Sequence, residues 1–165
     1  YNMADTKYIV YTLGEQRYCM RLSNINGIEQ VYNIISVPMG ADFIKGIIYL
    51  REQIVPIYDL KGRFGIDDSN SGERQLLVTE THGFKMGFEV DDVLGIVAVL
   101  DEDIKDAPSV VCSDETGYLE NVVNIKLPEE KEAGIMISVS IDNIMSESEF
   151  ANVSNALEEK KNSEN

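Results

Sequence analysis

Few side chains in this sequence fall into a pattern that could carry out acid–base or covalent chemistry. His82 is the single histidine, so any Ser-His-acid or Cys-His arrangement would have to use it. It lies in Thr81-His82-Gly83, between two β-prone runs, and reads as an exposed turn residue. Cys19 sits in an alternating strand beside Tyr18 and Met20, with no base close in sequence. Cys112 stands apart, and neither thiol follows a metal or redox spacing. Asp91-Asp92 and Asp101-Glu102-Asp103 could attract a hard cation. Neither has the alternating acids, central glycine and closing glutamate of a calcium loop, so both read as solvated acidic loops. Among the acids no carboxylate pair is singled out for glycoside chemistry. The glycines form neither the dinucleotide-binding nor the P-loop pattern. The expectation is no catalytic residue, no metal and no cofactor, and a protein that works by binding.

Residues 41–60, ADFIKGIIYLREQIVPIYDL, must then be placed by the fold. Ile47, Ile48, Tyr49 and Leu50 form one apolar run, and Ile54, Val55, Ile57 and Tyr58 form another. The charged break Arg51-Glu52 between them predicts a β-hairpin. Pro56 cannot donate to a ladder, so its strand is expected at an edge or beside a bulge. Arg51 is a long cation at the turn, placed to meet a partner.

The chain has 165 residues, enough for one domain or two small ones. Lys and Arg number 14 against 29 Asp and Glu, for a net charge of −15. Such a charge repels phosphates and anionic lipid, so neither nucleic acid nor a membrane surface is an expected partner. No apolar run approaches the ~20 residues of a membrane helix, and no signal-peptide pattern is present. Two thiols without a framework suit a reducing cytoplasm. Tyr1-Asn2, ahead of Met3, take no part in the fold argument.

Read in order, strands are expected at Tyr8–Leu13, Tyr18–Leu22, Gln75–Thr81, Phe84–Val90, Val93–Leu100, Tyr118–Ile125 and Ile135–Ile141, besides the hairpin and a strand-like run from Glu29 to Val37. Ser23 is placed to cap a single helical turn. From Ser146 the period changes: Phe150, Val153 and Leu157 recur at helical spacing, with Ser146 or Ser148 as cap and Lys160-Lys161 at the far end. Four segments repeat. Leu22-Ser23-Asn24-Ile25-Asn26-Gly27-Ile28 matches Val90-Asp91-Asp92-Val93-Leu94-Gly95-Ile96, and residues 43–48 match 118–123. Residues 54–59 are laid on 137–142, and Val37-Pro38 on Ala107-Pro108. The paired glycines, Gly27 and Gly95, read as a requirement for positive φ. The chain thus reads as two copies of one small β unit of about five strands, the size that closes into small barrels. With no Trp and with its Tyr residues spread singly, it lacks the aromatic groove of a polyproline reader.

The block FIKGIIYLR followed by IVPIYDL, residues 43–51 and 54–60, resembles the most specific signature of the CheW family of bacterial chemotaxis coupling proteins. Phe88-Glu89-Val90-Asp91-Asp92-Val93 resembles that family's second-barrel segment, and Ile137–Ile144 its closing strand and short helix. The resemblance implies a mostly β fold of two tandem SH3-like five-stranded barrels packed side by side, with a C-terminal helix. It places a CheW-like domain at 8–145, with barrels at roughly 14–82 and 83–145, the second completed by the strand 8–13. The helix follows at 146–161 and a tail at 162–165. The function implied is that of a non-enzymatic cytoplasmic adaptor, recruited to membrane-associated receptor arrays. Its partners would be the regulatory domain of the histidine kinase CheA and the cytoplasmic tip of methyl-accepting chemoreceptors, without membrane insertion. No receiver module accompanies it in these residues. The family pattern carries a Gly after the signature arginine, where this chain has Glu52, and a Glu able to pair with that arginine, where this chain has Gly27. The partner-binding residues expected are Arg51, Glu52, Leu22, Ile25, Gly27 and Val153. For Leu22 and Ile25 a plain core role stands level with the partner role, and for Val153 the favoured reading is that the helix staples its apolar face onto a barrel. A stand-alone regulatory β-barrel binding a ligand or peptide, and an acid-pair hydrolase, are the competing readings.

Overall fold

The computed structural model describes residues 5–30, 32–67, 72–107 and 117–163. β1 (Thr6–Leu13) and β2 (Gln16–Arg21) form a hairpin, and a 3-10 turn at Leu22–Asn24 carries the chain into β3 (Ile25–Glu29). After a long connection come β4 (Ile44–Leu50), β5 (Gln53–Tyr58) and the short helix α1 (Leu60–Phe64). A second hairpin, β6 (Gln75–Thr81) and β7 (Phe84–Val90), runs directly into β8 (Asp92–Val99). Then follow β9 (Ile104–Asp106), β10 (Leu119–Ile125), β11 (Gly134–Val139) and the C-terminal helix α2 (Glu147–Ser163). The chain is mostly β, as expected. Cys112, Pro108 and the tail beyond residue 163 lie outside the described residues.

The strands form two sheets, ordered β8-β1-β2-β11-β10-β9 and β3-β6-β7-β5-β4. The two orders coincide when the hairpin β1-β2 is matched to β6-β7, β3 to β8, and β5-β4 to β11-β10, with β9 as an addition. The repeat is therefore real in three dimensions, but its copies are interlocked. The first hairpin sits among strands of the second copy, and the second hairpin among strands of the first. This corrects the expected halves at 14–82 and 83–145, which place β2 and β7 in the wrong sheets. Alternation of apolar residues reveals strands but not their partners, and here the exchange falls at the connections from Arg21 to Ile25 and from Val90 to Asp92. The hydrogen-bonded ladders run between end strands in both sheets and do not close into complete barrels among the described residues.

Irregularities repeat as well. Register shifts leave Asn26 and Leu94 as extra residues in β3 and β8, and Lys45 and Glu120 in β4 and β10. The peptide N–H of Asp59 donates to Phe43 O at 2.7 Å, and that of Ser140 to Tyr118 O at 2.7 Å. These bonds make residues 135–140 the counterpart of 54–59, two residues earlier than the sequence comparison placed them. A slip of two keeps every side chain on its face, so alternation alone cannot detect it.

Three apolar clusters hold the molecule together. Tyr8, Val10 and Cys19 face a core inside one sheet, with Val123 and Met136. Ile48, Val55, Ile57, Leu76 and Val78 fill the other. The largest lies between the sheets, where Ile9, Tyr11 and Met20 meet Leu77, Met86 and Phe88. β1 explains itself in these terms: its two faces enter different cores, which is why YIVYTL is apolar almost throughout. Each fully buried Val, Leu, Ile, Met or Phe stabilises by about 1.5–3 kcal/mol. Pro56 is tolerated because β5 meets β7 only from Ile57 onward, so at Pro56 it is paired on one side, to Ile47.

The first turn of α2 carries a reciprocal cap. Ser146 Oγ accepts from the N–H of Glu149, and the Glu149 carboxylate accepts from the N–H of Ser146, each at 3.2 Å. The 3-10 turn at Leu22–Asn24 has no side-chain cap, contrary to the role expected of Ser23.

Candidate partner-binding surface

Arg51 and Glu52 are the two central residues of the β4–β5 turn, closed by the pair Leu50 and Gln53. Their φ angles are 49° and 68°, the left-handed pair that suits the twist of a two-residue hairpin. Asn and Gly usually supply it, and here two long charged side chains do. Both are exposed. Among the described residues Arg51 makes no hydrogen bond and no ion pair. Its guanidinium projects from a rigid turn with five donors unspent.

Glu52 stands at the mouth of a groove of about 420 Å³ between the hairpin turns and the far half of α2. Ile54, Phe84 and Leu157 form its apolar floor, and Glu80, Lys85, Glu158 and Lys161 its charged rim. The turn and the C-terminal helix, distant in sequence, thus share one surface.

Leu22, Ile25 and Gly27 belong to the other end of this sheet, with β6, β7 and β5 between β3 and β4 in ladder order. Leu22 and Ile25 are half-buried, and Ile25 packs on the core between the sheets. Gly27 faces Val78. The requirement expected of it is absent: its φ is not positive, and a Cβ added there would meet nothing within 4 Å. Gly46 is the glycine the fold does demand. Its φ is 157°, and a Cβ would come within 2.1 Å of Ile35 O, where residue 35 bridges to Ile47 with bonds of 2.8 and 2.9 Å. Val153 is fully buried in the core between the sheets and offers no surface to a partner. Its apolar neighbours at helical spacing already told of a packed face, and packing is its role here.

A second groove, of about 330 Å³, opens where the two sheets meet. Arg63 lies 4.5 Å from the ring centroid of Tyr118 and 5.8 Å from that of Phe43. Phe43 and Tyr118 are counterparts in the repeat, so the groove straddles the junction of the copies. Phe43 is held at φ 65° and is 42% exposed. Tyr58 lines the floor, its hydroxyl 3.4 Å from Ile144 O and its pKa pushed up by burial. The repeat alignment was the signal that could have found this pair of rings.

Of the chemical groups weighed earlier, His82 and Cys19 are engaged in packing and hydrogen bonding. The His82 ring stacks on Phe150 with centroids 3.6 Å apart and planes at 14°. Its Nδ1 is 2.8 Å from Thr81 Oγ1, and that hydroxyl donates to Asp142 Oδ1 at 2.5 Å. The hydroxyl's one proton goes to Asp142, so in the neutral ring Nδ1 carries the proton and donates. Cys19 is buried, and burial pushes its thiol up to about 12, far from a nucleophile's range. Among the described residues no group of three His, Cys, Asp or Glu is placed to hold a metal. The surface features that stand out are the exposed turn and the two grooves.

The comparisons with known proteins agree. The family model of the CheW-like domain matches residues 7–149. The chemotaxis protein CheW of Klebsiella aerogenes is 31% identical over 153 residues, covering 90% of this chain and 87% of its own. That of Treponema pallidum is 26% identical over 127 residues, covering 74% and 75%. The crystal structure of the scaffolding protein TtCheW from Thermoanaerobacter tengcongensis superposes with a TM-score of 0.72 at 26% identity, over 85% of this chain and 92% of that one.

Proposed function

This chain belongs to the CheW-like family of chemotaxis scaffold proteins, which are not enzymes, and from that premise we propose that it couples chemoreceptors to the histidine kinase CheA. In this reading it works in the cytoplasm, and the receptors bring it to membrane-associated arrays. No helix among the described residues is long and apolar enough to cross a membrane, which agrees with recruitment by protein contacts.

The observation that carries the proposal is the Arg51-Glu52 turn. A left-handed turn built from two charged residues costs about 1–2 kcal/mol per non-glycine residue relative to glycine. Among the described residues no partner of Arg51 repays that cost. An exposed arginine on a rigid turn is a common anchor in protein interfaces. Glu52 extends the contact into the groove beside α2. Leu22, Ile25 and Gly27 offer a second, less charged contact along β3, and the receptor tip and the kinase regulatory domain would divide these two regions between them.

The test is co-sedimentation of the chain with receptor-containing membranes in the presence of CheA. The wild-type chain pellets with them. Arg51→Glu reduces the pelleted fraction severalfold while the melting temperature stays nearly unchanged, because the side chain has no fold contact to lose. A wild-type chain that stays in the supernatant with several receptor types removes the coupling function. A large fall in melting temperature shows that Arg51 serves the fold.

A further inference from the structure

β8 is the one long, apolar strand edge that the fold leaves open among the described residues. It runs for eight residues at the end of its sheet and is hydrogen-bonded only to β1. The other ends are protected. The outer edge of β4 is bridged by Ile35. β9 has three residues. β3 has five, and Asn26 and Glu29 interrupt it. In β8 no lysine or proline interrupts Val93 to Leu100, the devices that usually blunt an edge. Only its first residues are guarded: Val93 N–H donates to Gln75 Oε1 at 2.8 Å. Beyond that point Ile96 is 53% and Leu100 37% exposed, with Ala98 exposed between them, while Val97 and Val99 turn inward. One face is thus apolar and bare along the open half of the strand.

Acidic residues stand at both ends of this edge. Exposed Asp92 begins it, and Asp101, Glu102 and Asp103 follow Leu100. We propose that the open edge of β8 receives an extended segment of another protein, with apolar side chains at alternate positions and Lys or Arg at both ends, as an added strand. The added backbone would supply the bonding groups the edge lacks. Its alternate apolar residues would cover Ile96, Ala98 and Leu100, and its basic ends would meet Asp92 and the 101–103 acids. The charges argue against a second copy of this chain. Antiparallel pairing of two β8 edges would bring Asp92 of each copy to the 101–103 acids of the other, in a molecule of net charge −15. The inference does not depend on the coupling function.

The experiment uses the full chain and a fluorescent peptide, Lys-Lys-Val-Thr-Val-Thr-Val-Lys-Lys, with the same peptide carrying Glu for Lys as control. Anisotropy titration reads binding, and hydrogen exchange of backbone amides reads its place. The Lys peptide binds saturably, the Glu peptide does not, added salt weakens the complex, and exchange slows at Val97–Leu100. Ile96→Lys weakens binding about tenfold or more. Ile135→Lys leaves it unchanged, although Ile135 is 75% exposed, because β11 is an interior strand. Ala98→Lys serves if the first variant melts early. The proposal is overturned by no saturable binding, by equal binding of the two peptides, by protection elsewhere, or by equal loss in Ile135→Lys. A concentration-dependent dimer abolished by Ile96→Lys would also overturn it, in favour of self-association.

Discussion

At the bulge on β4, Lys45 pairs with Glu89 of β7 at 2.7 Å; at the bulge on β10, Glu120 pairs with Arg21 of β2 at 2.6 Å. The four residues are counterparts in the repeat, and the signs are exchanged. The surroundings differ more than the chemistry. Glu89 is 9% exposed and also accepts from Arg74 at 3.0 Å and from the Tyr32 hydroxyl at 2.7 Å. Arg21 and Glu120 are half-buried, and Arg21 also donates to Asn121 Oδ1 at 3.4 Å. The same position is a buried hub in one copy and a more exposed pair in the other. Glu89 ties the connection between β3 and β4, through Tyr32, to the sheet it crosses. Arg21 has no such connection to hold. A duplicated fold can thus keep an interaction's geometry while one copy turns it into a structural anchor.

The largest effect should come from the helix that only one sheet end possesses. Phe150→Ala removes the ring on which His82 stacks and opens the core between the sheets; a loss of about 3–5 kcal/mol is expected in denaturant unfolding. Phe64, the half-buried ring stacked 5.3 Å from Tyr118, is its nearest analogue on α1, and Phe64→Ala should cost visibly less. Next comes the hub itself. Glu89→Gln should cost about 1.5–3 kcal/mol, since three donors lose a charged acceptor, whereas Arg21→Gln should cost less than about 1 kcal/mol. Equal losses would show that burial does not separate the two pairs.

The hub also has a pH signature. Burial pushes the Glu89 carboxyl up, but hydrogen bonds from Lys45 and Tyr32, with the charges of Lys45 and Arg74, outweigh it and hold the pKa below the ordinary value. A depressed carboxylate stabilises fully above its unfolded pKa of about 4.3, and that stability drains as pH falls through the folded value. Unfolding midpoints should therefore fall below about pH 4.5 in the wild type and fall less steeply in Glu89→Gln. The smallest change lies at the turns. Glu52→Gly relieves a left-handed φ of 68° and should raise stability by up to about 1 kcal/mol. The β10–β11 connection is longer and has no matching residue, so the comparison is one-sided.

Much of this was legible in the residues. Gln75–Thr81 is a β-prone run and Phe84–Val90 alternates, and both are strands over those bounds. The change of period at Ser146 announced the start of α2. The repeat was visible because its glycines and apolar positions recur. What stayed hidden was partnership. β2 and β7 carry the right pattern for either sheet, and only three-dimensional pairing shows the exchange. The slip of two in the last block is invisible to a period of two. At the site, Arg51 could be found because two charges interrupt apolar runs. Val153 stood among the expected contacts although its helical spacing favoured packing, and its full burial bears out the packing. Gly27 misled because glycine is also used where nothing demands it, and Gly46, whose backbone does demand it, lies in a segment that looks continuous.

The interlocked hairpins bear on how the chain is made. On the ribosome β1 and β2 emerge first, but their ladder neighbours are β8 and β11. From Arg21 to Val139, at about 5–20 residues per second, the first hairpin waits roughly 5–25 s for its sheet. During that time Tyr8, Val10 and Cys19 have no core to enter. The other sheet does not wait, since β3 to β7 follow one another in sequence and it is complete once Val90 is made. The first hairpin therefore stays beside a finished sheet, without its own ladder neighbours on the β11 side, until the last strands are out.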